Sequence, residues 1–168
     1  IASLADIEEA VNTCKLAGNN DITLLKCTSS YPAPVDEANL LTMPNIASTS
    51  GVNVGLSDHT MGHAVTLAAV ALGAKVIEKH FILNRDIPSP DSSFSMLPGE
   101  FKELVEGVRA VEKALGKVTY ELTEKTKKSR EFSRSLFISE DIKKGEIFTQ
   151  KNLRSVRPGF GLHTRYLK

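Results

Sequence analysis

Apolar residues near the start of the chain recur at the spacing of a helix. They lie three or four positions apart, at Leu4, Ile7, Val11 and Cys14. Ser3 and Asp6 resemble a capping box with Asp in the place of Glu, and Gly18 follows the last apolar position. Because such boxes begin helices and glycine commonly ends them, the pattern predicts an amphipathic helix between Ser3 and Gly18.

Short β-prone runs then alternate with further helical patterns up to residue 116. We predict strands at 22–27, 52–56 and 75–81, and helices at 36–49, 61–73 and 98–115. Asp36 is the predicted cap of the second helix. Pro44 should kink or divide that helix, because proline lacks the N–H that an interior helical position donates.

This alternation predicts parallel strands joined by crossover helices. The predicted strand starts, 22, 52 and 75, are separated by 30 and 23 residues, about the length of one strand–helix unit. A (β/α)8 barrel and a doubly wound sheet both fit. Polar clusters follow three successive strands, as in barrel active sites, whereas an open sheet binds its ligand mainly at one switch point. We therefore favour an α/β fold in which residues 1–116 form the C-terminal part of a TIM barrel.

The sequence changes character after Gly116. Residues 117–134 are polar, charged and weakly periodic, which is typical of a linker. Residues 135–168 contain short β-prone runs, a KKGE turn and a glycine-rich end, which predict the beginning of a small β-rich domain. The chain starts without methionine and stops without a terminating turn, so we expect a segment of a longer protein.

Overall composition argues against several classes of partner. The 21 basic and 20 acidic residues leave no overall positive field to attract nucleic acid or anionic lipid. No apolar run approaches the 18 or so residues of a membrane span, and the start has no signal-peptide pattern. The two cysteines, Cys14 and Cys27, have no metal-like spacing and are typical of a reducing compartment, so we expect a cytoplasmic location.

Two histidines follow neighbouring predicted strands at the same edge. His59 and His80 are 21 residues apart, which is one strand–helix unit. Because side chains alternate along a strand, Ser57 should share a face with His59, and Glu78 with His80. Two imidazoles make half of a divalent metal site, which water or carboxylates would complete. The available carboxylates are Asp58, Glu78 and Asp91. Hydrogen-bonded polar residues at strand ends are the alternative interpretation.

Two other stretches carry candidate binding groups. The loop CTSSYP offers hydroxyl groups just past a strand, which suit an anion or a sugar, although turn formation explains the same residues. Arg157 precedes a Pro-Gly turn that could present its guanidinium to a carboxylate or an amide. His63 lies within the predicted apolar helix at 61–73, which indicates a structural role.

Five stretches, in order, resemble the sialic acid synthase family: LLKCTSSYPAP, GLSDHT, VALGAKVIEKHFIL, PDSSFS and RPGFG. Within that family, YPAPVDEANLLTMPN, EKHFILNR, SRSLF and SVRPGFGLH are more similar to pseudaminic acid synthases. The resemblance implies condensation of phosphoenolpyruvate with an N-acylated amino sugar, expected to be 2,4-diacetamido-2,4,6-trideoxy-L-altrose. Pseudaminic acid and phosphate would be the products, and phosphate would leave with C–O cleavage. N-acetylneuraminate or legionaminic acid synthesis is the alternative within the family.

The resemblance also implies roles for residues of the predicted barrel. His59 and His80 match the two metal-binding histidines, the metal being manganese, or magnesium or cobalt in its place. It would act as a Lewis acid on the aldehyde of the open-chain sugar. Asp91 matches an acidic residue near the metal and the sugar, and with the histidines it makes the expected catalytic set.

Substrate-binding roles are implied at further positions. Ser29, Tyr31 and Ser57 match residues that hold phosphoenolpyruvate or the sugar, and we expect Glu78 to contact substrate from the same face. Arg157 matches an arginine that reaches the sugar's acyl group in the partner's barrel, which implies a homodimer with an exchanged C-terminal domain.

The resemblance covers the second half of the family's barrel and the first part of its antifreeze-like (SAF) domain. The phosphate-binding lysines and a catalytic glutamate belong to earlier strands, so we expect this segment alone to be inactive. With unpaired strand edges it should also be unstable or self-associating. One position departs from the family: Ser89 of PSPD replaces a glycine, so the loop that carries Asp91 could differ.

Two functions outside the family use the same residues. A metal-dependent aldolase or isomerase on the same barrel would need both histidines without phosphoenolpyruvate. A non-catalytic module could bind a sugar or a partner through the barrel part and dimerise through its tail. A synthase releases phosphate from phosphoenolpyruvate, whereas an aldolase or isomerase does not. A synthase binds a metal, whereas a non-catalytic module has no need of one.

Overall fold

The structure, a computed structural model, describes residues 2–167. They form two compact units, the first ending at Lys117 and the second beginning at Val118. The first unit alternates helices and strands in the following order: α1 (Leu4–Leu16), β1 (Thr23–Cys27), a 3-10 turn (Val35–Glu37), α2 (Thr42–Ser50), β2 (Asn53–Asp58), α3 (Ala64–Ala71), β3 (Ile77–Lys79) and α4 (Pro98–Leu115).

The three strands of the first unit form a parallel sheet in the order β1-β2-β3. Cys27 lies beside Ser57 across the first pair, and Asp58 beside Lys79 across the second. Parallel neighbours that are consecutive in sequence require crossover connections, which α2 and α3 supply. The predicted parallel α/β arrangement is therefore confirmed, and the carboxyl ends of all three strands meet at one edge.

Alternation along β2 separates an apolar face from a polar face. Val54 and Leu56 pack against the helices, in a buried cluster that consists of Ala38, Met43, Val54, Leu56, Val65 and Ala69. Gly55 and Ser57 point to the opposite side of the sheet. The helices thus cover one face, and the other face is left for side chains with a chemical role.

Gly55 allows the close approach of β1 and the segment before β3. A Cβ atom at this position would meet the carbonyl oxygen of Val76, and it would lie 2.6 Å from Leu25 Cδ2. We expect Gly55→Ala to lower the free energy of unfolding by about 1–3 kcal/mol, as overpacked cores do. Thermal unfolding of the full-length protein measures the effect. Gly99→Ala is the control, because a Cβ there meets nothing within 4 Å, and an unchanged Gly55→Ala midpoint would contradict the prediction.

Two predicted helices are confirmed with their ends. Helix α1 begins with the predicted box, since the Ser3 side chain accepts from the N–H of Asp6 and the Asp6 carboxylate accepts from the N–H of Ser3. Helix α4 covers Pro98–Leu115, with proline in its first turn, where no N–H is needed. Local signals at helix ends were sufficient here.

The helix predicted at 36–49 is divided, as Pro44 indicated, but the prediction that Asp36 caps it is wrong. A 3-10 turn at Val35–Glu37 and helix α2, which starts at Thr42, replace it, so Asp36 caps no α-helix. Asn39, between the two elements, has a φ of 44°, which breaks the right-handed helical conformation. Pro44 lies in the first turn of α2, where its missing N–H costs no helical hydrogen bond. Proline therefore divides the predicted helix by fixing where the second part begins.

Two other predicted elements are shorter than expected. Helix α3 starts at Ala64, so His63 precedes it at the N-cap position, because Gly62 takes a φ of 75° that ends the preceding turn. Strand β3 is limited to Ile77–Lys79 rather than 75–81. After Lys79 the chain leaves β2 and pairs with the segment around Met96 instead. The carbonyl of His80 accepts from the N–H of Met96, and Phe81 forms a parallel bridge with Met96.

The second unit holds a short helix and a small antiparallel sheet. Its elements are α5 (Glu124–Arg130), β4 (Ser135–Ile138), β5 (Leu153–Val156), β6 (Leu162–His163) and a 3-10 turn (Thr164–Tyr166). The sheet order is β5-β4-β6. Helix α5 lies within the stretch predicted as a linker and is capped by Thr123. None of the helices within residues 2–167 has both the length and the apolar character needed to cross a membrane.

Candidate active site

The structure brings the two candidate histidines together at the carboxyl edge of the parallel sheet. His59 directly follows β2, and His80 directly follows β3. Their ring centres lie 5.1 Å apart, with the planes inclined by 69°. Nitrogen–metal bonds of about 2 Å from each ring to one ion are compatible with this separation. The predicted convergence of these side chains is thus present in the fold.

His59 is held in one orientation by backbone groups. Its Nδ1 lies 2.9 Å from the carbonyl oxygen of Thr28. A carbonyl only accepts, so this contact places the proton on Nδ1 and leaves the lone pair on Nε2, as in metal-binding histidines. The residue is 7% exposed, and its own carbonyl accepts from the N–H of Ala33. The loop that follows β1 therefore fixes the imidazole through Thr28 and the backbone of His59 through Ala33.

His80 lies beside the predicted acidic residue. Its Nδ1 is 3.5 Å from Asp91 Oδ2, and the Asp91 side chain remains 47% exposed. Ser89, which stands where relatives have glycine, does not need glycine's conformational freedom. Within residues 2–167, Asn39 is the one non-glycine residue with a positive φ, so the φ of Ser89 is not positive. Ser89 Oγ instead accepts from the N–H of Asp91 at 3.3 Å. The loop thus carries Asp91 to His80 without a glycine at this position.

Two aromatic rings surround the histidines. Tyr31 lies 4.3 Å from His59 and 5.8 Å from His80, measured between ring centres. Phe94 lies 5.1 Å from His80 and is buried. Sequence reasoning assigned no role to Phe94, although an apolar residue in the polar stretch PDSSFS was an available signal. Phe94 thus covers His80 from the protein side, whereas Tyr31 remains 54% exposed beside His59.

Ser57 and Glu78 form a second polar pair on the same face of the sheet. The Ser57 hydroxyl donates to Glu78 Oε1 at 2.7 Å, across the β2–β3 register that aligns the two residues. Ser29 is exposed in the loop after β1, with Oγ 4.0 Å from Cys27 Sγ. Cys27 Sγ in turn lies 3.9 Å from His59 Nδ1, so Ser29 borders the histidine pair without touching it.

Asp58, considered from sequence as a possible metal ligand, does not face the histidines. Strand alternation turns it to the helix side, where Thr60, Thr66 and Lys79 donate to its carboxylate. Burial raises the pKa of Asp58, but these donors outweigh that effect and hold the pKa below its ordinary value. With both oxygens engaged, Asp58 is not available to a metal, and that interpretation is wrong.

Arg85 fixes the loop between His80 and α4. Its guanidinium donates to the carbonyls of Ser92 and Ser93 and, through the other nitrogen, to both oxygens of Glu100 at 3.0 and 3.1 Å. Glu100 also accepts from the N–H of Leu97, which lowers the pKa of its carboxyl, and Arg85 lowers that pKa further. The position of Asp91 therefore depends on a bridge that was not predicted from sequence.

Arg157 lies in the second unit, where it directly follows β5 and is exposed. The loop after it is fixed by Ser135, whose buried hydroxyl donates to the carbonyl of Pro158 at 2.6 Å and accepts from the N–H of Gly161. A defined turn thus supports this arginine, as the sequence suggested.

The donor set at the sheet edge is limited to imidazoles and nearby oxygens. Within residues 2–167, no three His, Cys, Asp or Glu side chains converge closely enough to hold a metal ion by themselves. A cation at this place would be bound by the two histidines, with the remaining positions left for water or substrate oxygens. An open coordination sphere of this kind is typical of catalytic rather than structural metal sites.

Two family profiles match the chain. The NeuB family profile matches residues 1–120, and the SAF domain profile matches residues 133–168. The first match contains both histidines with their neighbours, and the second contains Arg157.

Individual relatives are similar over nearly all of the chain. It is 45% identical to the pseudaminic acid synthase of Helicobacter pylori and 48% identical to one of Campylobacter jejuni, over 100% and 97% of its length. The N,N'-diacetyllegionaminic acid synthase of Campylobacter jejuni is 45% identical over 96%. The crystal structure of the Bacillus subtilis spore coat polysaccharide biosynthesis protein spsE superposes with a TM-score of 0.64 at 36% identity, covering 98% of this chain and 51% of that one. The chain spans about half the length of the curated relatives, 48–50%.

Proposed function

The chain belongs to the NeuB family, and we propose that it supplies half of the active site of a nonulosonic acid synthase. The full-length enzyme would condense phosphoenolpyruvate with 2,4-diacetamido-2,4,6-trideoxy-L-altrose and water, giving pseudaminic acid and phosphate. The observation that carries the proposal is the convergence of His59 and His80, with rings 5.1 Å apart, at the carboxyl ends of adjacent parallel strands. Active sites of (β/α)8 barrels lie at that end, so we also propose that this sheet is part of such a barrel.

The two histidines fit a divalent metal, for which manganese is our first choice. The contact between His59 Nδ1 and the Thr28 carbonyl leaves Nε2 free to bind it. His80 adds a second imidazole, and Asp91 lies on its Nδ1 side at 3.5 Å. When bound, the metal would polarise the aldehyde of the open-chain sugar as a Lewis acid.

The remaining residues suit the handling of substrate. In the proposed reaction C3 of phosphoenolpyruvate attacks the aldehyde carbon, water adds at C2, and phosphate leaves with the oxygen of the broken C–O bond. Glu78, hydrogen-bonded to Ser57 on the same face, is placed to orient substrate hydroxyls or to accept a proton from water. Tyr31 and Phe94 would form an aromatic wall beside the reacting carbons.

Phosphate binding requires cations that this sheet face lacks in the described part of the chain. Lys79 is paired with Asp58 on the helix side. The Lys26 ammonium donates to Cys27 O and Thr28 Oγ1, each at 3.1 Å. Side chains alternate along a strand, so Lys26 and Lys79 lie on the helix side of the sheet and not on the face that carries the site. We therefore propose that the phosphate is held by residues outside this chain, and that the 168-residue segment alone has no synthase activity.

The test is release of inorganic phosphate by two purified proteins, the full-length enzyme and the 168-residue segment. Each is incubated with phosphoenolpyruvate, the amino sugar and Mn²⁺, with chelator-treated samples as the control. We expect turnover by the full-length enzyme that stops without metal, and none by the segment. Turnover by the segment would contradict the proposed missing phosphate site, and metal-independent turnover by the full-length enzyme would contradict the role of the histidines.

The sugar needs its own test, because the legionaminic acid synthase is as identical to the chain as one of the pseudaminic acid synthases, at 45%. The relative kcat/KM values for the sugar precursors of pseudaminic, legionaminic and N-acetylneuraminic acid decide between them. We expect the altrose-configured sugar to be preferred, and a preference for either of the others would reassign the enzyme within the family.

Arg157 would complete the site from a second subunit. It is exposed, and the turn after it is fixed by Ser135, so the backbone from which the guanidinium projects has a defined position. A guanidinium suits the acyl carbonyl of the sugar because its donors form a planar fork. We therefore include a homodimer with exchanged SAF domains in the proposal.

A further inference from the structure

A buried ion pair lies directly behind the two histidines. Lys79 Nζ is 2.9 Å from Asp58 Oδ2, and the side chains are 3% and 1% exposed. Thr66 donates to the same carboxylate oxygen, and Thr60 donates to the other through its N–H and its hydroxyl. Every polar group of the pair is thus satisfied, although none of them touches the face where chemistry would occur.

The pair is placed so that it controls the positions of both histidines. Asp58 precedes His59, and Lys79 precedes His80, so the bond joins the two strand ends from which the imidazoles project. Lys79 also donates to the carbonyl of Thr60 at 2.7 Å. The backbone is therefore anchored on both sides of His59 by the residue that adjoins His80.

Stability alone does not explain a charged pair at this place. Apolar residues of similar volume often replace a buried ion pair at no cost, because desolvation of the charges offsets their attraction. Directional bonds, in contrast, restrict the separation of the strand ends more tightly than apolar contacts would. A shift of about 1 Å is enough to weaken a constellation of catalytic groups.

We propose that Asp58 and Lys79 are positioning residues, which set the distance and orientation of His59 and His80 for binding one divalent cation. This inference rests on the proposed function, since it assumes that the two imidazoles bind a metal. It assigns a role in metal affinity to two residues that lie on the helix side of the sheet.

The test compares metal affinity with stability in the full-length enzyme. The double variant Asp58→Leu with Lys79→Met removes the bonds but leaves no unpaired charge. We expect it to keep its unfolding midpoint within a few degrees and to bind Mn²⁺ about 10–100-fold more weakly in isothermal titration, as when ligand-orienting groups are removed. Spin-echo spectra of bound Mn²⁺ should show two imidazole nitrogens in the wild type and fewer in the variant.

Leu104→Ala is the matched control, because Leu104 is a buried residue of α4 outside the site. It should lower stability and leave the affinity for Mn²⁺ unchanged. If the double variant does not fold, Thr66→Val, which removes one bond to Asp58 and keeps the ion pair, should still weaken Mn²⁺ binding several-fold. Equal affinity in wild type and in the folded variant would overturn the inference but not the proposed function, whereas a wild type that binds no metal would overturn both.

Discussion

Replacing His59 or His80 with alanine in the full-length enzyme should lower kcat/KM by a factor on the order of 10³. Polarisation of the aldehyde by a bound metal contributes several kcal/mol, and each 1.36 kcal/mol corresponds to about tenfold in rate. With a single imidazole at the site, Mn²⁺ would be neither held nor oriented. Phosphate release measures the rate, and isothermal titration measures the accompanying loss of Mn²⁺ affinity.

His63→Ala is the control for these substitutions, because it removes the same type of side chain from the neighbouring segment. His63 lies at the N-cap position of α3, where its side chain makes no capping hydrogen bond. Its replacement should change kcat/KM by only a few-fold, because the half-buried side chain acts on Glu100 and not on the histidine pair. Wild-type turnover by the His59 or His80 variants would remove the histidine pair from the mechanism.

Local signals in the sequence predicted the elements that depend on local interactions. The capping box of Ser3 and Asp6 and the long periodic pattern of α4 gave helix bounds that agree with the structure. The parallel order of the strands followed from their alternation with helices, and the convergence of His59 and His80 followed from that order. These predictions needed only the spacing of apolar residues in helices and strands and the rule that consecutive parallel strands are joined by a crossover helix.

The misassigned features depend on which groups meet in three dimensions. Pro44 predicted that the helix at 36–49 would be divided, but the place of the break required knowing that Asn39 takes a positive φ, which its type permits but does not require. Phe94 reaches His80 only because the loop after β3 turns back, and Arg85 bridges that loop to α4. No spacing in the sequence expresses such contacts.

Asp58 is different, because its position could have been predicted. The alternation that places Ser57 and His59 on one face puts Asp58 on the other. Counting it among the metal-binding carboxylates contradicted that rule. Its buried partner also follows from register, since Lys79 is the residue beside Asp58 across β2 and β3. A charged side chain on the apolar face of a strand requires such a partner.

Asp58→Ala should be among the most destabilising single substitutions in this unit, at about 3–5 kcal/mol at neutral pH, because it leaves the Lys79 charge buried without its partner. Urea unfolding of the full-length protein measures the change. The double variant Asp58→Leu with Lys79→Met leaves no unpaired charge and should regain most of the stability lost in Asp58→Ala. Equal stabilities of Asp58→Ala and the double variant would contradict the argument.

The contribution of the Asp58 carboxylate to stability should also depend on pH in a defined direction. Hydrogen bonds from Thr66, Lys79 and Thr60 prevail over burial and lower the pKa of Asp58 in the folded state. A carboxyl with a lowered folded-state pKa contributes stability above its unfolded pKa of about 3.9, and that contribution is lost as the pH falls through the folded-state value. Because the lysine left in Asp58→Ala can itself lose its proton, the comparison is made with the double variant Asp58→Leu with Lys79→Met. The difference in unfolding free energy between wild type and that variant should be constant from about pH 7 to pH 5 and shrink below about pH 4. A difference that grows on acidification would mean that Asp58 is protonated in the folded protein at neutral pH, and the ion pair with Lys79 would then not exist.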